Sequence, residues 1–204
     1  MADPRDIDLP FVTRTLEARA PRLIEGPDVE RRAAVATVLR PTQAGLDVLL
    51  IRRAERQGDP WSGHMAFPGG GLDPRDRDLE AAAVRETLEE VGLPLDAEGR
   101  LLGRLDDVRA TARGIVTGLV VSPFVFVVEG QPPLRTSDEV SEIHWAPLSP
   151  MFRGERDTSI DYVWQGQTIR LPGYRLDAAE GDRIVWGLTH KMLTTFFARL
   201  RGGL

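Results

Sequence analysis

Residues Gly69–Leu93 read GGGLDPRDRDLEAAAVRETLEEVGL, three glycines followed by an acidic turn and a helix-forming run. Placed on a helix at about 100° per residue, Leu79 to Val91 puts Val84, Leu88 and Val91 on one side and gathers Glu86, Glu89 and Glu90 on the other. Like charges three or four apart on a bare helix cost roughly 0.2–0.5 kcal/mol per pair, so three glutamates within about one turn call for a cation among them. A hard divalent metal matches an all-carboxylate donor set. Gly92 and Pro94 supply the stop signals at the C-terminal end.

Outward from this stretch, the flanking sequence is strand-rich. Arg31 to Arg40 and Leu46 to Ile51 are apolar runs on either side of the turn-rich Pro41 to Gly45, which predicts a hairpin of two buried strands. Arg52 to Ser62 is polar and rich in breakers, hence a loop, and Gly63 to Pro68 is a short extended segment entering the glycines. Leu101 to Val108 and Gly114 to Val128 read as strands, with Pro123 marking an edge or a bend. Val140 to Leu148 alternates as a half-exposed strand, and Tyr162-Val163-Trp164 faces Thr168-Ile169-Arg170-Leu171 across Gln165-Gly166-Gln167 as a hairpin. Leu188, Met192, Leu193, Phe196, Phe197 and Leu200 form the stripe of a closing helix. Mixed strands with few helices predict an α/β sandwich with helices flanking a mixed central sheet.

The 204 residues suffice for one domain with a substantial core. Residues 31–204 are assigned to that domain and 1–30 to an N-terminal extension. Met1 to Pro10 is expected to fray. Phe11, Leu16, Ala20 and Leu23 suggest a short helix stopped by Pro21, a cover or a subunit contact that leaves room for a homodimer. A net charge of −5 argues against general nucleic-acid binding, and the absence of cysteine excludes disulfides, thiolate metal sites and cysteine nucleophiles. No signal peptide and no membrane-length apolar run is present, so a cytoplasmic location is the default.

The pattern Gly71, then Arg85-Glu86-x-x-Glu89-Glu90-x-Gly92-Leu93, resembles the Nudix box of hydrolases that cleave nucleoside diphosphates linked to another moiety. With each fixed residue at about one in fifteen, R-E-x-x-E-E-x-G arises by chance roughly once in a million windows. The usual box has a glutamate eight residues before its arginine, where this chain has Arg77 between Asp76 and Asp78. That displaced acid, together with Ala66-Phe67-Pro68-Gly69-Gly70 and Ile184-Val185-Trp186-Gly187-Leu188-Thr189, looks like the coenzyme A pyrophosphatase branch.

The resemblance implies a Nudix-type α/β/α sandwich and a pyrophosphatase using Mg²⁺ or Mn²⁺ on a small-molecule nucleotide. Coenzyme A or an acyl derivative is the first substrate. The alternatives are ADP-ribose or another nucleoside diphosphate sugar and, in a different class, a non-catalytic nucleotide-binding module. Glu86, Glu89 and Glu90 are implied as metal ligands, and Glu89, Glu86 and Arg85 as the catalytic set. Arg85, four residues before Glu89, is placed to hold that carboxylate or brace the glycine loop. Arg52, Arg53, Gly70 and Gly71 are candidates for binding substrate, and Glu139 or Glu142 for an accessory acid on a later loop. His64 and Trp61 are open between structural roles and contact with the ligand, Trp61 by stacking on a base.

Overall fold

The computed structural model describes residues 7–58, 61–112, 115–164, 166–176 and 183–202. The predicted hairpin forms β1 (Arg31–Thr42) and β2 (Gly45–Arg53), with Thr42 opposite Gly45. Pairing therefore runs through Pro41, and Gln43-Ala44 alone make the turn. Two short strands, β3 (Met65–Ala66) and β4 (Gly69–Gly71), precede helix α2 (Leu79–Val91). Asp78 caps α2 by accepting from the Ala81 N–H, and Gly92 ends it in the left-handed region at φ 72°.

A four-residue helix, α3 (Leu95–Glu98), leads into β5 (Gly99–Arg104), β6 (Val108–Ala112) and β7 (Ile115–Val128). After β8 (Val140–Pro147) and the short helix α4 (Leu148–Phe152) come β9 (Asp157–Trp164), β10 (Gln167–Arg175) and β11 (Ile184–Trp186). The chain ends in α5 (Gly187–Leu200), and α1 (Leu9–Glu17) lies at its start.

Among the described residues, eight strands form one mixed sheet in which β1 and β7 are parallel and the remaining pairs antiparallel. β9, β10 and β11 form a separate antiparallel sheet. The hairpin predicted from Tyr162 to Leu171 is present, with Trp164 opposite Gln167; Gln165 lies outside the described residues.

Strand alternation sends Ala34, Ala36, Val38, Leu49 and Ile51 to one face, where Ala82, Ala83 and Val91 of α2 cover them. Val35, Leu39, Val48 and Leu50 face the other way, against Val12 and Leu16 of α1 and the Met192–Leu200 stripe of α5. Phe196 and Phe197 are fully buried, each stabilising the fold by roughly 1.5–3 kcal/mol. The result is the expected α/β/α sandwich around a mixed sheet. Among the described residues, no helix is long and apolar enough to cross a membrane.

Several expectations are corrected. β7 is an inner strand between β1 and β5/β6, so Pro123 marks no edge. It sits where the neighbour changes: β5 pairs up to Phe124, β6 from Val121, and the ladder bond a proline cannot donate falls in that gap. The expected single strand from Leu101 to Val108 is broken there for the same reason. α1 ends at Glu17 rather than at Pro21, and Leu23 is exposed because the chain beyond Ala18 is extended. Ile7 does not fray. It is buried, and its N–H is held by Ser149 Oγ at 3.0 Å.

The N-terminal segment is buckled to the sheet by buried charge. Asp106 takes both oxygens to Arg19 Nη2 (2.9 and 2.8 Å) and one to the Arg22 N–H, while Asp107 accepts from the Ile24 N–H and Ser122 Oγ. Buried Arg199 of α5 donates to the carbonyls of Leu16, Arg19 and Arg104. Removing one member strands the others. Asp106→Ala is therefore expected to cost about 3 kcal/mol of folding free energy, read as a lower urea midpoint with an unchanged slope; a midpoint within error of the parent would contradict this buckle.

Candidate active site

The glycine strand β4 is the hinge of the site. It pairs with β1 through Val35–Gly69, Ala34–Gly70 and Ala33–Gly71. Gly69 has φ 149°, and a Cβ there would lie 2.3 Å from the Ala34 carbonyl oxygen, so no side chain fits. A Cβ on Gly70 would lie 2.4 Å from Glu86 Oε1. The bare backbone is what lets α2 set its carboxylates against this strand.

The arrangement on α2 differs from the expected two-sided helix. Leu88 is 44% exposed, and the buried face is made by Ala82, Ala83, Thr87, Glu90 and Val91. Small residues win this face because α2 packs close to β1, and Glu90 is admitted because Gly69 N–H donates to its Oε2 at 2.8 Å. Burial pushes the Glu90 carboxyl up to about 7, against the lowering effect of that hydrogen bond. Glu86 is raised for the same reason, with Arg85 opposing. Glu89 is the most open of the three, its side chain 57% exposed.

Arg85 joins the parts. Its Nε and Nη2 hold the two oxygens of Asp76 at 3.0 Å each, its Nη1 reaches Glu86 at 2.9 Å and Glu89 at 3.1 Å, and Nη2 also donates to the Gly71 carbonyl at 3.2 Å. Asp76 in turn accepts the Asp73 N–H, closing the turn before the helix. The arginine lowers the Asp76 carboxyl and is itself raised by it. Of the three residues around the displaced acid, Asp76 grips the arginine, Asp78 caps the helix, and Arg77 is exposed against Asp78. The DPRDRD spelling was the sequence signal for this pair, but spacing alone does not say which aspartate turns inward.

Glu86, Glu89 and Glu90 line one pocket with Ser137, Asp138, Glu139 and Arg56. Of the two accessory acids, Glu139 is thus brought to the carboxylates, with Arg56 Nη1 at 3.1 Å. Glu142 is not; it accepts from Arg52 Nη1 (3.0 Å) and Arg183 Nε (2.6 Å) and meets His144 Nε2 at 2.8 Å. The hydrogen bonds from these three, Arg183 first, hold its carboxyl down at about 2. β8 is in register with β2 here, so alternation turns Glu142 to the face opposite α2. The same network takes Arg52 away from the carboxylates. Arg53, Gly70 and Gly71 line a second cavity, about 690 Å³, and Gly70 lies against Glu86, which lines the first. Trp61 and His64 line it too; the adjoining Asp59 and Pro60 lie outside the described residues.

Among the described residues, no three acidic or histidine side chains are gathered into a set that could hold a metal ion, because Arg85 stands between Glu86 and Glu89 while Gly69 takes Glu90. The donor chemistry nevertheless fits a hard cation. Five carboxylates line one pocket, Glu86, Glu89, Glu90, Asp138 and Glu139, all their donor atoms are oxygen, and a divalent ion would offset the burial that disfavours the charge of Glu86 and Glu90.

A mixed sheet between helices, with an acidic helix packed directly on a glycine strand, defines the class of fold shared by the Nudix hydrolases. A family model for the NUDIX domain matches residues 30–180, and the chain belongs to that family. The Nudix hydrolase NudL of Salmonella paratyphi B is 36% identical over 168 residues, 80% of either chain. A protein of Schizosaccharomyces pombe is 42% identical over 116 residues, which is 55% of this chain but 35% of that one. Among solved structures, a MutT/nudix family protein from Enterococcus faecalis superposes with a TM-score of 0.54 at 21% identity, covering 95% of this chain and 69% of that chain. An Ap4A hydrolase of C. elegans does so at 0.50 and 20%, covering 60% and 84%. These distant likenesses show the fold. The family generally uses divalent metal ions.

The contact at Gly70 yields a sharp test. Gly70→Ala is expected to push the Glu86 carboxylate off its position and lower kcat about a hundredfold, with the thermal midpoint changed far less than the rate. Full activity in that variant would show that Glu86 is not needed against the strand.

Proposed function

We propose that the protein hydrolyses the pyrophosphate bond of a nucleoside diphosphate derivative, with Mg²⁺ or Mn²⁺ held by Glu86, Glu89 and Glu90, and that its substrate is coenzyme A or an acyl-coenzyme A. The products would be adenosine 3′,5′-bisphosphate and a phosphopantetheine. The observation that carries this reading is the close approach of Gly70 to Glu86, which sets a pocket of five carboxylates beside a cavity large enough for a nucleotide.

When bound, the metal supplies charge neutralisation of the pyrophosphate and acidifies the attacking water. The chain's own residues do the positioning that phosphoryl transfer chiefly demands. Arg85, fixed on Asp76, sets the spacing of Glu86 and Glu89. Glu89, the most exposed, takes the proton of the attacking water. Arg53 and the bare backbone of Gly70 and Gly71 meet the phosphate oxygens from the cavity side. Glu139 completes the acidic rim opposite the helix.

The rest of the cavity favours coenzyme A. Away from the glycines it is lined by Val29, Leu119, Val121, Leu188 and Met192, an apolar wall suited to a pantetheine arm. A second ribose would leave its hydroxyls short of partners there, which is costly. Glu30, Arg31, Arg32 and Thr189 are polar exceptions in the same lining and favour the second reading, ADP-ribose or another nucleoside diphosphate sugar.

Purified protein assayed with Mg²⁺ or Mn²⁺ on coenzyme A, ADP-ribose, NADH and dinucleoside polyphosphates is expected to give its highest kcat/KM on coenzyme A. Glu89→Gln is expected to lower kcat by about a hundredfold or more with the fold intact. Preference for ADP-ribose would move the substrate to the second reading, and no turnover of any diphosphate would overturn the reaction itself.

A further inference from the structure

The cavity carries aromatic residues that neither the carboxylates nor the apolar wall accounts for. His64, just before β3, and Trp186, the last residue of β11, both line it, with ring centroids 4.2 Å apart and planes inclined at 50°. Tyr162 of β9 backs Trp186 at 5.5 Å, and Trp61 lines the same space. These rings are only partly buried, unlike the fully buried Phe196 and Phe197 of the core. Rings inclined at 50° do not cover one another face to face, so aromatic surface remains directed at the cavity.

Trp186 does not belong to the main sheet. β11 pairs with β10 in the small sheet and lies against β3. A polar tie to the main sheet is made by Arg183, one residue before the strand, whose Nε donates to Glu142 Oε2 at 2.6 Å. Glu142 stands on β8, and Arg52 of β2 and His144 hold its remaining capacity. The Arg183 carbonyl, on the other side, accepts the Leu176 N–H at 3.0 Å. One carboxylate therefore fixes the segment that delivers the indole to the cavity.

We infer that the His64–Trp186 pair is the subsite for the nucleobase of the substrate, and that Glu142 is a positioning residue that holds Trp186 in place. The inference rests on the proposed nucleotide chemistry of the neighbouring carboxylates. A base offers a π face to stack whatever its hydrogen-bonding edge, and a partly open pair of rings beside an arginine suits it. The diphosphate then points toward Arg53 and the glycines, and the base lies against the small sheet.

Binding of ADP and of inorganic pyrophosphate to the full chain, by calorimetry in the same Ca²⁺ buffer, isolates the ring. Both ligands share the diphosphate, so only the nucleoside differs. The parent is expected to bind ADP more tightly than pyrophosphate. Trp186→Ala should cut that advantage about tenfold with pyrophosphate affinity unchanged, Trp186→Phe should restore most of it, and Glu142→Gln should reduce it selectively. An unchanged advantage in Trp186→Ala, a parallel loss of both ligands, or no advantage in the parent would overturn the assignment. A parent that shows the ADP advantage yet turns over no diphosphate would overturn the proposed reaction and leave the base subsite standing.

Discussion

Three glutamates on adjacent turns of one helix repel one another, and the cation that makes the arrangement tolerable in this chain is Arg85. Its guanidinium spends five contacts on Asp76, Glu86, Glu89 and the Gly71 carbonyl. That planar fork is why an arginine rather than a lysine suits the position: a point charge cannot hold Asp76 by two bonds and still reach two glutamates. The helix, the turn before it and the glycine strand are thereby one rigid unit.

The glycine strand sets what the unit can reach. β4 is thin enough for α2 to lie against β1, and the sheet it joins separates two environments. On the α2 face are the carboxylates; on the α5 face is the wide cavity with its apolar wall. Gly70 lines the cavity and lies against Glu86, so a ligand in the cavity is separated from the acidic helix there by bare backbone. The small sheet closes the far side, tied to β8 through Arg183 and Glu142.

Much of this was legible in the chain. Strand runs, glycine stops and the stripe of α5 follow from local periodicity and are in place, save that the run from Leu101 to Val108 is divided between β5 and β6. The acidic motif located the carboxylate pocket because it is written in consecutive residues of one helix. What failed depended on distance. Leu88 lies outward and Glu90 inward because the packing partner of α2 is a strand some fifty residues earlier, which selects alanines over larger side chains. Pro123 sits in mid-sheet because two successive strands share β7. Glu142 and Glu139 are three residues apart and carry the same side chain, yet the strand register sends one to Arg183 and leaves the other facing the pocket. No local signal distinguishes them, and none foretold that Trp186 would meet His64.

The account stands on a cation seated among the carboxylates of α2 at the glycine junction. Anomalous scattering from crystals equilibrated with Mn²⁺ tests this most directly. It expects a metal peak bounded by Glu86, Glu89 and Glu90, with Arg85 still held by Asp76. A peak elsewhere, or no peak at saturating Mn²⁺, would contradict it.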